Sequence, residues 1–229
     1  MNGFYYGFDA LYILLIIPAI IIALWAQIRV KTTFSKYSKI SCNASGADAA
    51  RRVLESNGVY NVKIERVSGE LTDHYDPKTN TIRLSETVFA VNSIAAVGVA
   101  AHEAGHAVQY AKGYTPIKLR SAILPLCNIG SNLSVPLILL GLVFSFSFLI
   151  DLGIIFFILA IIFQLITLPV EFNASNRAMH AIESNFILTD EIDRKGAKKV
   201  LSAAAMTYIA AVIVSLAQLL RFLSISKRR

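Results

Sequence analysis

Residues 10 to 28 read ALYILLIIPAIIIALWAQI, nineteen residues without a charge. A helix crossing the hydrocarbon core of a bilayer needs about 20 apolar residues. Lipid offers backbone groups no partners, so such a run must satisfy them within its own helix. Pro18 can kink this span without ending it. No positive charge precedes the run and no small-x-small cleavage site follows it, so it reads as a retained anchor rather than a cleaved leader. Two further apolar runs, Leu133 to Leu149 and Leu152 to Leu168, form a hairpin whose turn is expected near Asp151 and Gly153. The last, Ala203 to Leu220, is weaker because it contains Thr207, Ser215 and Gln218. It either spans or packs its polar face on the other helices. Charged residues make up 16% of the chain, against roughly 25% in soluble domains. The chain is therefore read as an integral membrane protein.

The formal net charge of +7 is not a nucleic-acid signature, because the basic residues flank apolar segments. There they set topology. The tail before the first span and the hairpin turn carry no Lys or Arg. Arg29 to Asn132 carries thirteen and Glu171 to Ala203 five. Both loops are expected in the cytoplasm of a bacterial-type plasma membrane, with the N-terminus outside. Arg221, Lys227, Arg228 and Arg229 break the pattern if the last helix crosses.

Between the first span and the hairpin the pattern changes. Cys42 to Asn57 reads as a helix, capped by Ser45 or Asn43 and ended by Gly58. Val59 to Val67 alternates as a strand. Glu70 to Tyr75 and Thr79 to Leu84 read as two more strands around an Asp76-Pro77-Lys78 turn. Asn92 to Lys112 is a long apolar helix, with Gly113 placed to end it. Cys42 and Cys127 stand at unrelated spacing and are expected to be free thiols. The fold class is a mostly α membrane protein: transmembrane helices plus a small α+β domain with a three-stranded sheet. The divisions are an anchor at 1–28, a cytoplasmic domain at 29–128, a transmembrane hairpin at 129–170, a helix with a connecting segment at 171–202 and an apolar helix with a basic tail at 203–229.

The long apolar helix carries His102-Glu103-Ala104-Gly105-His106. Positions i and i+4 share one helix face, so two imidazoles are offered to one zinc ion. Glu103 beside them is placed to take a proton from its water. A catalytic zinc needs a third protein ligand. His74 and His180 are available, but Glu171 is the stronger candidate. It ends an apolar run, where a carboxylate is costly unless paired. The domain at 29–128 then reads as a zincin-like catalytic domain built on the H-E-x-x-H helix, and 171–202 as the third-ligand helix with its connecting segment. An oxyanion stabiliser is also required, and Tyr208, His180, Tyr110 and Arg177 are the candidates. An edge strand at Leu71, Thr72, Asp73 and His74 could pair with an extended peptide. It reads equally well as a structural hairpin.

Four segments together resemble a known family: residues 100–109 around the two histidines, 71–77 with 83–85, 169–178, and 204–211. They are similar to the YugP-like membrane family of neutral zinc metallopeptidases, whose layout is similar to HtpX-type membrane gluzincins. The resemblance covers nearly the whole chain. It implies a zinc endopeptidase with one Zn2+ per chain on His102, His106 and Glu171, and Glu103 as the catalytic base. The HtpX-type pattern places an aspartate four residues after the glutamate, and Ser175 stands there in this chain. Ser175, Asp73 or Asn176 would then hold a ligand histidine.

The expected function is hydrolysis of peptide or membrane-protein substrates at the cytoplasmic face of the lipid bilayer. The alternative is a membrane scaffold or chaperone-like protein with a structural or sensory zinc and no proteolysis. Nothing in the sequence indicates an oligomeric state.

Overall fold

The computed structural model describes residues 10–227. In chain order they form α1 (Ala10–Tyr37), α2 (Gly46–Ser56), β1 (Lys63–Val67), β2 (His74–Asp76), β3 (Thr81–Ser85), α3 (Ile94–Ala111), α4 (Thr115–Val143), α5 (Ser147–Ser184) and α6 (Glu191–Lys227). Four of these helices, α1, α4, α5 and α6, are long and apolar enough to cross a membrane. The last helix, the weakest span by sequence, is among them. The described residues divide into two compact units.

One unit holds residues 27–118 and 168–206. Ser45 caps α2 through a reciprocal box: its Oγ accepts from the Asp48 N–H, and the Asp48 carboxylate accepts from the Ser45 N–H. Such a box satisfies two donors that a helix start leaves open. The helix consequently begins at Gly46, not at Cys42 as its composition suggested. Ser93 caps α3 without a reciprocal partner, its Oγ accepting from the Ala96 N–H at 3.2 Å. Gly58 and Gly113 take left-handed φ angles of 72° and 70° just beyond the two helices. The sheet has the order β1-β3-β2, with β1 parallel and β2 antiparallel to β3. Ile82 and Leu84 of the central strand are fully buried. They join Val53 and Leu54 of α2, Ile94, Val97 and Val108 of α3, and Ile182 of α5 in one apolar core.

The strands are shorter than the sequence pattern suggested. β1 starts at Lys63 rather than Val59. Of the expected strand Glu70 to Tyr75, only His74 and Tyr75 lie in β2. Leu71 has a φ of 55°, which a strand cannot contain,. The Thr72 hydroxyl donates to the Ser68 carbonyl, so this segment folds back on itself as a loop.

The other unit holds residues 10–26, 119–167 and 207–227 among those described. Ile138, Ile150, Ile154 and Phe222 form its core, with the Phe157 and Phe222 rings edge to face at 5.1 Å. The Tyr12 hydroxyl donates to Gln218 at 2.9 Å, and the Arg221 guanidinium lies 4.3 Å from the Tyr12 ring centroid. The turn between α4 and α5 is at Phe144–Phe146, not near Asp151 and Gly153. Ser145 adopts φ 52°, and the Phe146 N–H closes the turn on the Gly141 carbonyl at 2.8 Å. Gly153 lies inside α5. A Cβ there would stand 2.7 Å from the Ser134 carbonyl oxygen. Its role is to let two helices approach, not to turn the chain. α6 begins at Glu191, twelve residues before the apolar run that marked it, because charged residues fill its first turns.

Candidate metal centre

α3 carries His102, Glu103 and His106. Its apolar residues Ile94, Ala101, Ala104 and Val108 are fully buried, which fixes the rotation of the helix. The two imidazoles then lie one turn apart on the same side, with ring centroids 4.7 Å apart and planes near perpendicular at 81°. Gly105 lies between them. A Cβ at this position would meet the Ala174 carbonyl oxygen of α5 at 2.7 Å. The missing side chain lets the two backbones approach closely, and that approach delivers Glu171.

Glu171 Oε2 stands 3.2 Å from His102 Nε2 and 3.6 Å from His106 Nε2. One donor atom from each of the three residues lies within 4.8 Å of the others. Ligands bound at 2.0–2.1 Å to one tetrahedral ion stand about 3.3 Å from each other. Two neutral nitrogens and one carboxylate oxygen at this spacing fit a zinc ion. Among the described residues, neither His74 nor His180 joins the group.

The electrostatics point the same way. Glu171 is 3% exposed, and a carboxylate taken out of water needs a positive partner. Burial pushes His106 towards its neutral form, but the hydrogen bond it donates to Glu171 and the charges of Glu103 and Glu171 outweigh it. The imidazole is left above its ordinary value. A field that favours a proton at this nitrogen also favours a metal ion.

Ring orientation is set by polar contacts on the far nitrogens. Ser175 Oγ is 3.1 Å from His102 Nδ1. The Gln109 side-chain oxygen is 3.0 Å from His106 Nδ1. Gln109 was not singled out by sequence reasoning. It lies three residues after His106, so the helical repeat alone places it on the same side. A glutamine within an apolar helical run was the available signal.

Glu103 is half-buried, and its Oε2 accepts the backbone N–H of Tyr75 at 3.0 Å. That N–H belongs to β2, an outer strand of the sheet. Asp73 does not reach either histidine. Its carboxylate accepts the N–H and hydroxyl of Ser85 at 2.7 and 3.0 Å. It is still near enough to Glu103 to feel its charge. The edge strand expected at Leu71, Thr72, Asp73 and His74 lies instead at His74–Asp76. Only His74 of the expected four is in the strand.

The oxyanion candidates have different surroundings. Tyr110 packs its ring on Tyr75 at 5.5 Å. Arg177 donates from Nε to the Asn173 side-chain oxygen at 2.8 Å. His180 lines a cavity of about 490 Å³ together with Ser175, Asn176 and Lys198. Tyr208 belongs to the other unit. Cys42 and Cys127 are both free.

Comparison with known proteins points to zinc as well. Residues 12–227 match the family described as "Putative neutral zinc metallopeptidase". The chain is 50% identical over 218 residues to the "Putative membrane protease YugP" of Bacillus subtilis (strain 168), covering 94% of this chain and 96% of that protein. No solved structure matches it. The match reaches from α1 to α6, and the chain therefore belongs to this family.

Proposed function

We propose that this protein is a membrane-embedded zinc endopeptidase with His102, His106 and Glu171 as metal ligands. The observation that carries the reading is the triad of donor atoms with the Glu103 carboxylate on the adjacent residue. When bound, zinc polarises the scissile carbonyl and lowers the pKa of its water to about 7. Among the described residues no fourth His, Cys, Asp or Glu joins the three. A structural zinc site would have closed that position with protein, so the donor count favours catalysis over a scaffold role.

Glu103 takes the proton of the attacking water and returns it to the leaving amine. The Tyr75 N–H holds one of its oxygens, which aims the other. β2 is an outer strand beside this carboxylate, so an extended peptide can lie alongside His74–Asp76 and across the site. The substrates are membrane-associated or misfolded polypeptides.

The asymmetry of lysine and arginine supports an orientation with the N-terminus outside and the metal ligands at the cytoplasmic face. α5 has 38 residues, about 57 Å at 1.5 Å per residue, well beyond a hydrocarbon core of about 30 Å. If its span begins at Ser147, about 20 residues carry it to the stretch just before Glu171. The test is Glu103→Gln in the full-length protein. It should keep one zinc per chain and lose cleavage of a casein-like substrate. Full activity in that variant would overturn the mechanism.

A further inference from the structure

Gln109 is fully buried, and each polar atom of its side chain has a partner. Its nitrogen donates to the Val170 carbonyl at 2.8 Å and to the Asn173 side-chain oxygen at 3.0 Å. Its oxygen faces His106 Nδ1. These partners fix the direction of the amide. A reversed amide would set an oxygen against two other oxygens. Asn173 cannot reverse to relieve this, because its own oxygen also accepts from Arg177 Nε. A guanidinium has only donors to give.

We infer that Gln109 is a positioning residue that fixes His106 in the tautomer with hydrogen on Nδ1, leaving the Nε2 lone pair directed at the metal position. The file Arg177–Asn173–Gln109 sets this direction from the rim of the site. The Val170 carbonyl sets it from within. The opposite tautomer would aim an N–H at Glu171 and exclude a metal. His102 is held differently. A serine hydroxyl both donates and accepts, so Ser175 orients the ring without dictating its tautomer. The two ligand histidines are thus unequally fixed.

The inference rests on the metal reading proposed above, and the test separates the two. Zinc affinity is measured by chelator competition on the full-length protein in detergent, with thermal unfolding of the metal-free form. His106→Ala, the reference, should lose zinc. If it binds zinc as the wild type does, the metal reading itself fails. Gln109→Met should weaken zinc binding by about 10–100-fold. Gln109→Glu keeps an acceptor for Nδ1–H but sets its other oxygen against the Val170 carbonyl and the Asn173 oxygen, so it should recover part of that loss in zinc affinity while lowering the melting temperature of the metal-free form. Equal loss in both variants would assign Gln109 a purely structural role and overturn the inference. So would wild-type affinity in Gln109→Met.

A second pair avoids the buried position. Arg177→Leu frees Asn173 to reverse and should weaken zinc several-fold. Adding Asn173→Asp, whose two oxygens both accept, should restore it. A double variant no better than Arg177→Leu contradicts the proposed file.

Discussion

The Oγ of Ser175 lies 3.1 Å from Nδ1 of His102, one helical turn beyond Glu171 on α5. One helix thus supplies both a proposed ligand and the group that steadies another ligand.

Replacing this serine tests how much the contact is worth. Ser175→Ala should weaken zinc binding by up to about 10-fold, at the low end of what outer partners contribute. Ser175→Asp should tighten it, since a carboxylate accepts the Nδ1–H more strongly. Chelator competition at fixed pH reads both, and the opposite order would assign the hydroxyl a different role.

Glu171→Gln should lose zinc and all cleavage. The same loss should follow chelation of the wild type, and added zinc should reverse it. The melting temperature should fall on chelation and return with zinc, because a ligand bound only by the native state stabilises it. In Glu171→Gln the melting temperature should not respond to zinc.

Gly105→Ala should destabilise the protein by about 1–3 kcal/mol, the usual cost of overpacking. Its Cβ meets a backbone carbonyl at 2.7 Å, which cannot swing aside as a side chain can. Thermal unfolding in detergent measures this. Zinc binding should weaken as well, because α5 must move away from α3.

Asp73 gives a pH signature. Burial is the largest influence on its carboxyl and raises it above 3.8; the two Ser85 hydrogen bonds oppose this, and the charge of Glu103 adds to the rise. The folded value therefore lies above the unfolded one. The associated stability is fully present below 3.8 and is lost as pH rises through the folded value. Unfolding of the metal-free wild type and of Asp73→Asn, compared between about pH 3.5 and 6.5, should show the wild type losing ground as pH increases. A constant difference across that window would contradict the sign.

The apolar runs made the membrane helices legible, since about 20 uncharged residues leave few other structures open. Their ends were not legible. α4 starts at Thr115 and α6 at Glu191, where polar residues continue a helix whose apolar run comes later. The turn was placed at Asp151 and Gly153 because a charge and a glycine together look like turn chemistry. Glycine serves close helix contact equally well, and only the neighbouring Ser134 and Ile138 reveal that use. At the site, i,i+4 spacing put His102 and His106 on one face. The buried carboxylate at Glu171 stood out because of its apolar surroundings. Gln109, Asn173 and the Tyr75 N–H did not stand out. Gln109 and Asn173 meet each other across 64 residues of sequence, and a backbone N–H has no sequence signal at all.

The proposed ligands divide between α3 and α5, with the whole of α4 between them in the chain. During synthesis, α3 is therefore finished while Glu171, Asn173 and Ser175 do not yet exist. A nascent chain at that stage offers two imidazoles and a base, but neither the third donor nor the contacts that fix the rings. On the proposed reading, peptide hydrolysis would be withheld until α4 and α5 have been made and α5 has docked on α3. The order of residues along the chain would then keep the site incomplete until synthesis has passed Ser175.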